Sequence, residues 1–138
     1  MVINMFEKML PPGHIGLKEA EKKDTETYGD CRRIENSYKF SSRILTLQQM
    51  AVLSDQILRV LNVGHRRLKL KINKGLVHLA SCGWDTIELK YSTMPMYVLV
   101  HELAHFVVRK ENLRSGRDLH HDDFLWVEKL LFEVVETL

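Results

Sequence analysis

From Met96 to Val108 the chain reads Met-Tyr-Val-Leu-Val-His-Glu-Leu-Ala-His-Phe-Val-Val. Coiled as a helix, this run is apolar on every side except at His101, Glu102 and His105. A helix that is apolar all round is a buried helix. The rest of the fold must therefore be built around it. Two imidazoles and a carboxylate inside such a helix are costly unless something answers their polarity. Their spacing suggests what does. Histidines four positions apart lie one turn above each other on one helix face and can share one Zn²⁺. The glutamate next to the first histidine is turned about 100° around the axis. There it can take a proton from a zinc-activated water without being a ligand itself. The competing reading is a chance match, with both histidines hydrogen-bonded in an ordinary core.

The flanks suit a helix. Thr93 can cap its start, and Pro95 is tolerated in a first turn. A catalytic zinc needs a third protein ligand and one open position. Downstream, Leu119-His120-His121-Asp122-Asp123-Phe124 offers His120 or His121. Glu111, Asp118 and Asp122 are further candidates, although Glu111 follows His105 closely on the same helix. The same run also reads as a helix start, with Asp122 and Asp123 complementing the helix dipole.

His-Glu-Leu-Ala-His, a spacer, then His120 and Phe124 resembles the SprT-like (Spartan-type) zinc metallopeptidases. Their pattern is H-E-x-x-H, a variable spacer, then H-G-x-x-F. This chain has His121 where that pattern has glycine, so His121 stays open as an alternative third ligand. Leu79-Ala80-Ser81-Cys82-Gly83-Trp84 and Thr86-Ile87-Glu88-Leu89 are similar to the strand pair that precedes the metal-binding helix in that family. The resemblance covers residues 66 to 138. It implies a zincin-like fold, zinc held by His101, His105 and His120, and Glu102 as general base. It also implies proteolysis of DNA-associated or unfolded protein. Tyr91 or Tyr97 would help to stabilise the oxyanion. An edge strand beside the cleft would bind the substrate as an added strand. Trp84 to Lys90 is the candidate for that edge, with an ordinary inner strand as the equal alternative.

Two other readings stay open. One is a regulatory peptidase of the ImmA/IrrE type, whose third ligand is acidic; His120 speaks against it. The other is a non-catalytic module that keeps zinc for folding, or binds DNA or protein through a basic strand face. Glu102 speaks against that, because a structural site needs no base.

With 138 residues, 45% hydrophobic and 28% charged, the chain is expected to form a single enzyme-sized domain over residues 41–138. Residues 1–40, interrupted by Pro11-Pro12-Gly13, are read as an arm or covering segment. The net charge of +2 supplies no bulk drive toward nucleic acid. Basic clusters at Arg32-Arg33, Arg66-Arg67 with Lys69 and Lys71, Arg109-Lys110, and Arg114 with Arg117 read first as solvated faces, with DNA as a weaker option. Cys31 and Cys82 form no C-x-x-C pair, which argues against a disulfide framework or a second zinc ribbon. No signal-peptide core or membrane span is evident. The expected setting is cytoplasmic, with a protein or peptide substrate as the partner.

Periodicity gives an α+β order. An amphipathic helix runs over 42–62, with Ile44, Leu47, Met50, Ala51, Leu53, Ile57, Leu58 and Leu61 on one side. Three short antiparallel strands follow, near 67–73, 76–81 and 86–91, with a turn at Asn73-Lys74-Gly75. The H-E-x-x-H helix comes next, and then a second amphipathic helix over 122–138.

Overall fold

The computed structural model describes residues 31–63, 68–111 and 123–138. A helical stretch at 31–36 leads through a 3-10 turn, Lys39–Ser42, into β1, Ile44–Thr46. Helix α1 spans Leu47–Leu61. Strands β2 (Lys69–Ile72), β3 (Ala80–Cys82), β4 (Thr86–Leu89) and β5 (Thr93–Pro95) follow, then helices α2 (Met96–Lys110) and α3 (Asp123–Thr137). The α+β class is as expected. Among the described residues no helix is long and apolar enough to cross a membrane.

Helix α1 begins at Leu47, not Ser42. Thr46 Oγ1 accepts from the Gln49 backbone N–H at 3.2 Å, and Gln49 Oε1 accepts from the Thr46 N–H at 2.9 Å. This reciprocal cap satisfies two donors at the first turn and fixes the start. The residues before it pair with β5 instead, antiparallel, with Leu45 opposite Met94. Both side chains are buried, while Ile44 is exposed. The buried face of α1 is Met50, Ser54, Ile57, Leu58 and Leu61. Asn62 ends the helix in the left-handed region, at φ 54°, a conformation that asparagine tolerates better than most residues.

The other three strands run in the order β2-β4-β3. The expected all-antiparallel sheet is corrected: β4 pairs antiparallel with β3 but parallel with β2. Burial accounts for the order. Ile87 and Leu89 of β4 are wholly buried, which suits a central strand, whereas Lys69 and Lys71 of β2 are exposed, which suits an edge. The segment Trp84–Lys90 is thus the inner strand of its alternatives, and β3 is the edge. The turn at Asn73 forms as expected, with Asn73 Oδ1 accepting from the Gly75 N–H at 3.0 Å. Asn73 Nδ2 also donates to Glu88 Oε2 at 2.9 Å, which ties the end of β2 to β4.

Helix α2 lies at the centre of the core, and Leu99, Val100, Leu103, Ala104 and Val107 have no exposed surface. Its N-cap is Pro95, with no side-chain cap. Thr93, expected to cap it, is instead in β5 opposite Thr46. Helix α3 covers α2 with Phe124, Val127, Leu131 and Val134. Phe132, off the main stripe, is also fully buried and stacks on Tyr38 at 4.9 Å between ring centroids. That contact brings residues just before β1 into the same core. Cys31 is buried, Cys82 is half-buried, and no disulfide joins them.

Candidate metal centre

His101, Glu102 and His105 sit together on α2 and line one cavity of about 780 Å³. The two imidazoles meet edge to face, with centroids 5.1 Å apart. Phe124, the first aromatic of α3, lies against both rings, 4.4 Å from His105 and 5.0 Å from His101. Phe124 thus anchors α3 on the histidines themselves. His120 and His121, the alternative third ligands, lie outside the described residues, as do Asp118 and Asp122. Glu111 is the C-cap of α2 and is not part of the cavity wall. Tyr97 lines the cavity; Tyr91 does not, and is about half exposed.

Two carboxylates that the sequence did not single out complete the cluster. His101 Nδ1 lies 3.2 Å from Glu35 Oε2 and 3.1 Å from Glu128 Oε2. The glutamate side chains are 6% and 0% exposed, and that of His101 16%, so the contacts are made away from bulk water. These three ligand-type atoms lie within 4.8 Å of one another, and the group could hold a metal ion. Glu128 left a signal in the sequence. It falls on the stripe of Phe124, Val127 and Leu131, where a charged residue is out of place. Glu35, in Arg32-Arg33-Ile34-Glu35, reads as ordinary charged surface and left none.

Burial opposes a charged His101, but the hydrogen bonds to Glu128 and Glu35, with the charges of Glu128 and Glu102, outweigh it. They raise its pKa to about 9. Burial pushes Glu128 up to about 7, against the opposing pull of His101. In the metal-free state the cluster therefore favours holding protons. Arg32, about half exposed, is 4.0 Å from Glu35.

The far wall of the cavity is the stretch Val77–Cys82, including β3. Leu79 O accepts from Lys90 N–H and Thr86 O accepts from Gly83 N–H. By antiparallel alternation, residues 79, 81 and 83 bond toward β4, while the N–H and C=O of Ala80 point to the outer edge. Among the described residues no strand pairs there. Arg109, from the last turn of α2, donates to Cys82 O at 2.8 Å and Gly83 O at 2.9 Å. Lys110 bonds Asp85 at 3.0 Å and lies over the Trp84 ring at 4.6 Å. These contacts fix the β3–β4 turn to the helix that carries the histidines, and so set the spacing between the cavity walls. No family profile, curated protein or solved structure matches the chain.

Proposed function

We propose that the chain is a zinc-dependent metallopeptidase of the SprT-like kind that its motif resembles, with a zincin-like arrangement of helix, metal and edge strand. The observation that carries this reading is a convergence. His101, Glu102 and His105 line one cavity, and two buried carboxylates, Glu35 and Glu128, close on His101. One oxygen of Glu128 has no hydrogen-bond partner among the described residues. So much buried negative charge is costly unless cations balance it, and a pair of imidazoles one helical turn apart suits zinc. His101 and His105 would hold the ion, with His120 as the third ligand or His121 in its place. Zinc, when bound, supplies the Lewis acidity that lets water act as a nucleophile near neutral pH.

The protein's own groups do the rest. Glu102 takes the proton of the attacking water and returns it to the leaving amine. Phe124 covers both imidazoles and keeps water from their flank. An extended peptide can pair with the N–H and C=O of Ala80 at the open edge of β3, which aligns it along the cavity. The substrate class of this reading is protein or peptide, with an unfolded or DNA-associated chain as the option that the resemblance adds.

Purified protein should carry about one zinc per chain. His105→Ala should lose it. Glu102→Gln should keep both zinc and fold while peptide hydrolysis drops at least about 100-fold, the lower range for losing a general base. Equal hydrolysis by wild type and Glu102→Gln would remove the enzyme reading and leave a metal-stabilised binding module. His120→Ala and His121→Ala, titrated separately against a chelator, identify the third ligand.

A further inference from the structure

Two carboxylates on one imidazole nitrogen are more than hydrogen bonding requires, since a neutral imidazole bound to metal through one nitrogen has a single N–H to give. They come from separate parts of the fold, Glu35 from the helical stretch at 31–36 and Glu128 from α3. Both reach the same atom, Nδ1. Glu35 lines the cavity together with His101, Glu102 and His105, whereas Glu128 does not. Nδ1 is thus held between one carboxylate of the cavity wall and one on α3. That leaves Nε2 as the ring nitrogen open to a metal that acts on a substrate.

We propose that Glu35 and Glu128 are a pair of positioning residues for His101: they hold its ring as the Nδ1–H tautomer from two sides and so direct Nε2, not Nδ1, to the metal. The proposal rests on the reading of His101 as a metal ligand. It assigns the buried glutamates a role distinct from direct coordination, although all three atoms are close enough to share an ion. It also makes metal binding depend on residues before β1.

The test uses the full chain loaded with zinc. Nitrogen-15 NMR of the histidine rings should show His101 protonated at Nδ1 and metal-bound at Nε2. A metal-bound Nδ1 would make the glutamates co-ligands and overturn the proposal. Chelator competition should show zinc binding about 10-fold weaker in Glu35→Gln and in Glu128→Gln, the lower range for outer partners of a ligand histidine. The double variant should be weaker than the product of the two effects, because the second carboxylate partly covers for the first. If the double variant does not fold, Glu35→Gln alone decides: weaker zinc supports the proposal, and unchanged affinity sinks it. Variants that melt earlier yet bind zinc as tightly as wild type reduce the carboxylates to packing. Wild type that takes up no zinc removes the metal reading itself, and this proposal with it. Wild type that binds zinc alongside unaffected variants removes the proposal alone.

Discussion

On the proposed metal reading, His101 is the residue on which protons and metal compete. Its metal-free pKa of about 9 lies above the ordinary 6.5. The stabilisation tied to its protonation is thus complete below about pH 6.5 and is lost as pH rises through about 9. Glu128, raised from 4.5 to about 7, acts in the same direction over a lower window. Its contribution is present below about pH 4.5 and lost as pH rises through about 7. The metal-free protein should therefore melt at progressively lower temperature between pH 5 and pH 9. Zinc must displace a proton from His101, so its apparent affinity should rise by up to about tenfold per pH unit until that proton is gone. Thermal melts with and without zinc across this range check both trends; a metal-free protein that gained stability toward pH 9 would contradict the buried His101–Glu128 pair. Phe124 offers a second check at this scale. It has no exposed surface, so Phe124→Ala should cost about 3–5 kcal/mol in urea unfolding, and it would uncover both imidazoles. A loss under about 1 kcal/mol would mean the ring does not hold α3 on the histidines.

Among the elements, the junction of α2 with the β3–β4 turn sets the spacing of the cavity walls without contributing a side chain to the His101 cluster. Arg109→Ala removes two charge-assisted hydrogen bonds to Cys82 O and Gly83 O, which are worth about 1.5–3 kcal/mol each when intact. The expected result is a raised KM for peptide substrate with zinc stoichiometry unchanged. Loss of zinc in this variant would show that the turn supports the ligands and not the substrate wall. The same elements show how far sequence reached. Helix α2 was legible as a long apolar run holding two histidines at helical spacing, and helix α3 because its apolar residues follow the helical period. The start of α1 was not, because Ile44 continues that period while lying in a strand; the Thr46–Gln49 cap was the cue, and it lies in the residue types. Strand order was hidden for another reason. Alternation along β2, β3 and β4 reports which face is buried, and says nothing of which strand is the neighbour. Only the full burial of Ile87 and Leu89 reveals β4 as the centre.

For the whole molecule, the metal reading makes stability depend on ligand. A chelator should lower the melting temperature of zinc-loaded protein, and added zinc should restore it, because an ion bound only by the folded state stabilises by about 4 kcal/mol at a thousandfold excess over its Kd. A melting temperature indifferent to both treatments would count against a bound metal. His101, Glu102 and His105 were legible because an unusual spacing interrupts an apolar run. Glu35 was not, because its meaning comes from the fold: it is 66 positions from His101 along the chain. Glu128 is 27 positions away on the other side. That separation has a temporal consequence. Local helix can form around His101 early, but the two carboxylates arrive only through long loop closures, which are the slow steps of folding. A chain caught part-way would present an exposed imidazole pair and a bare glutamate with no fixed orientation. On the metallopeptidase reading, chemistry at this centre would begin only when folding is complete.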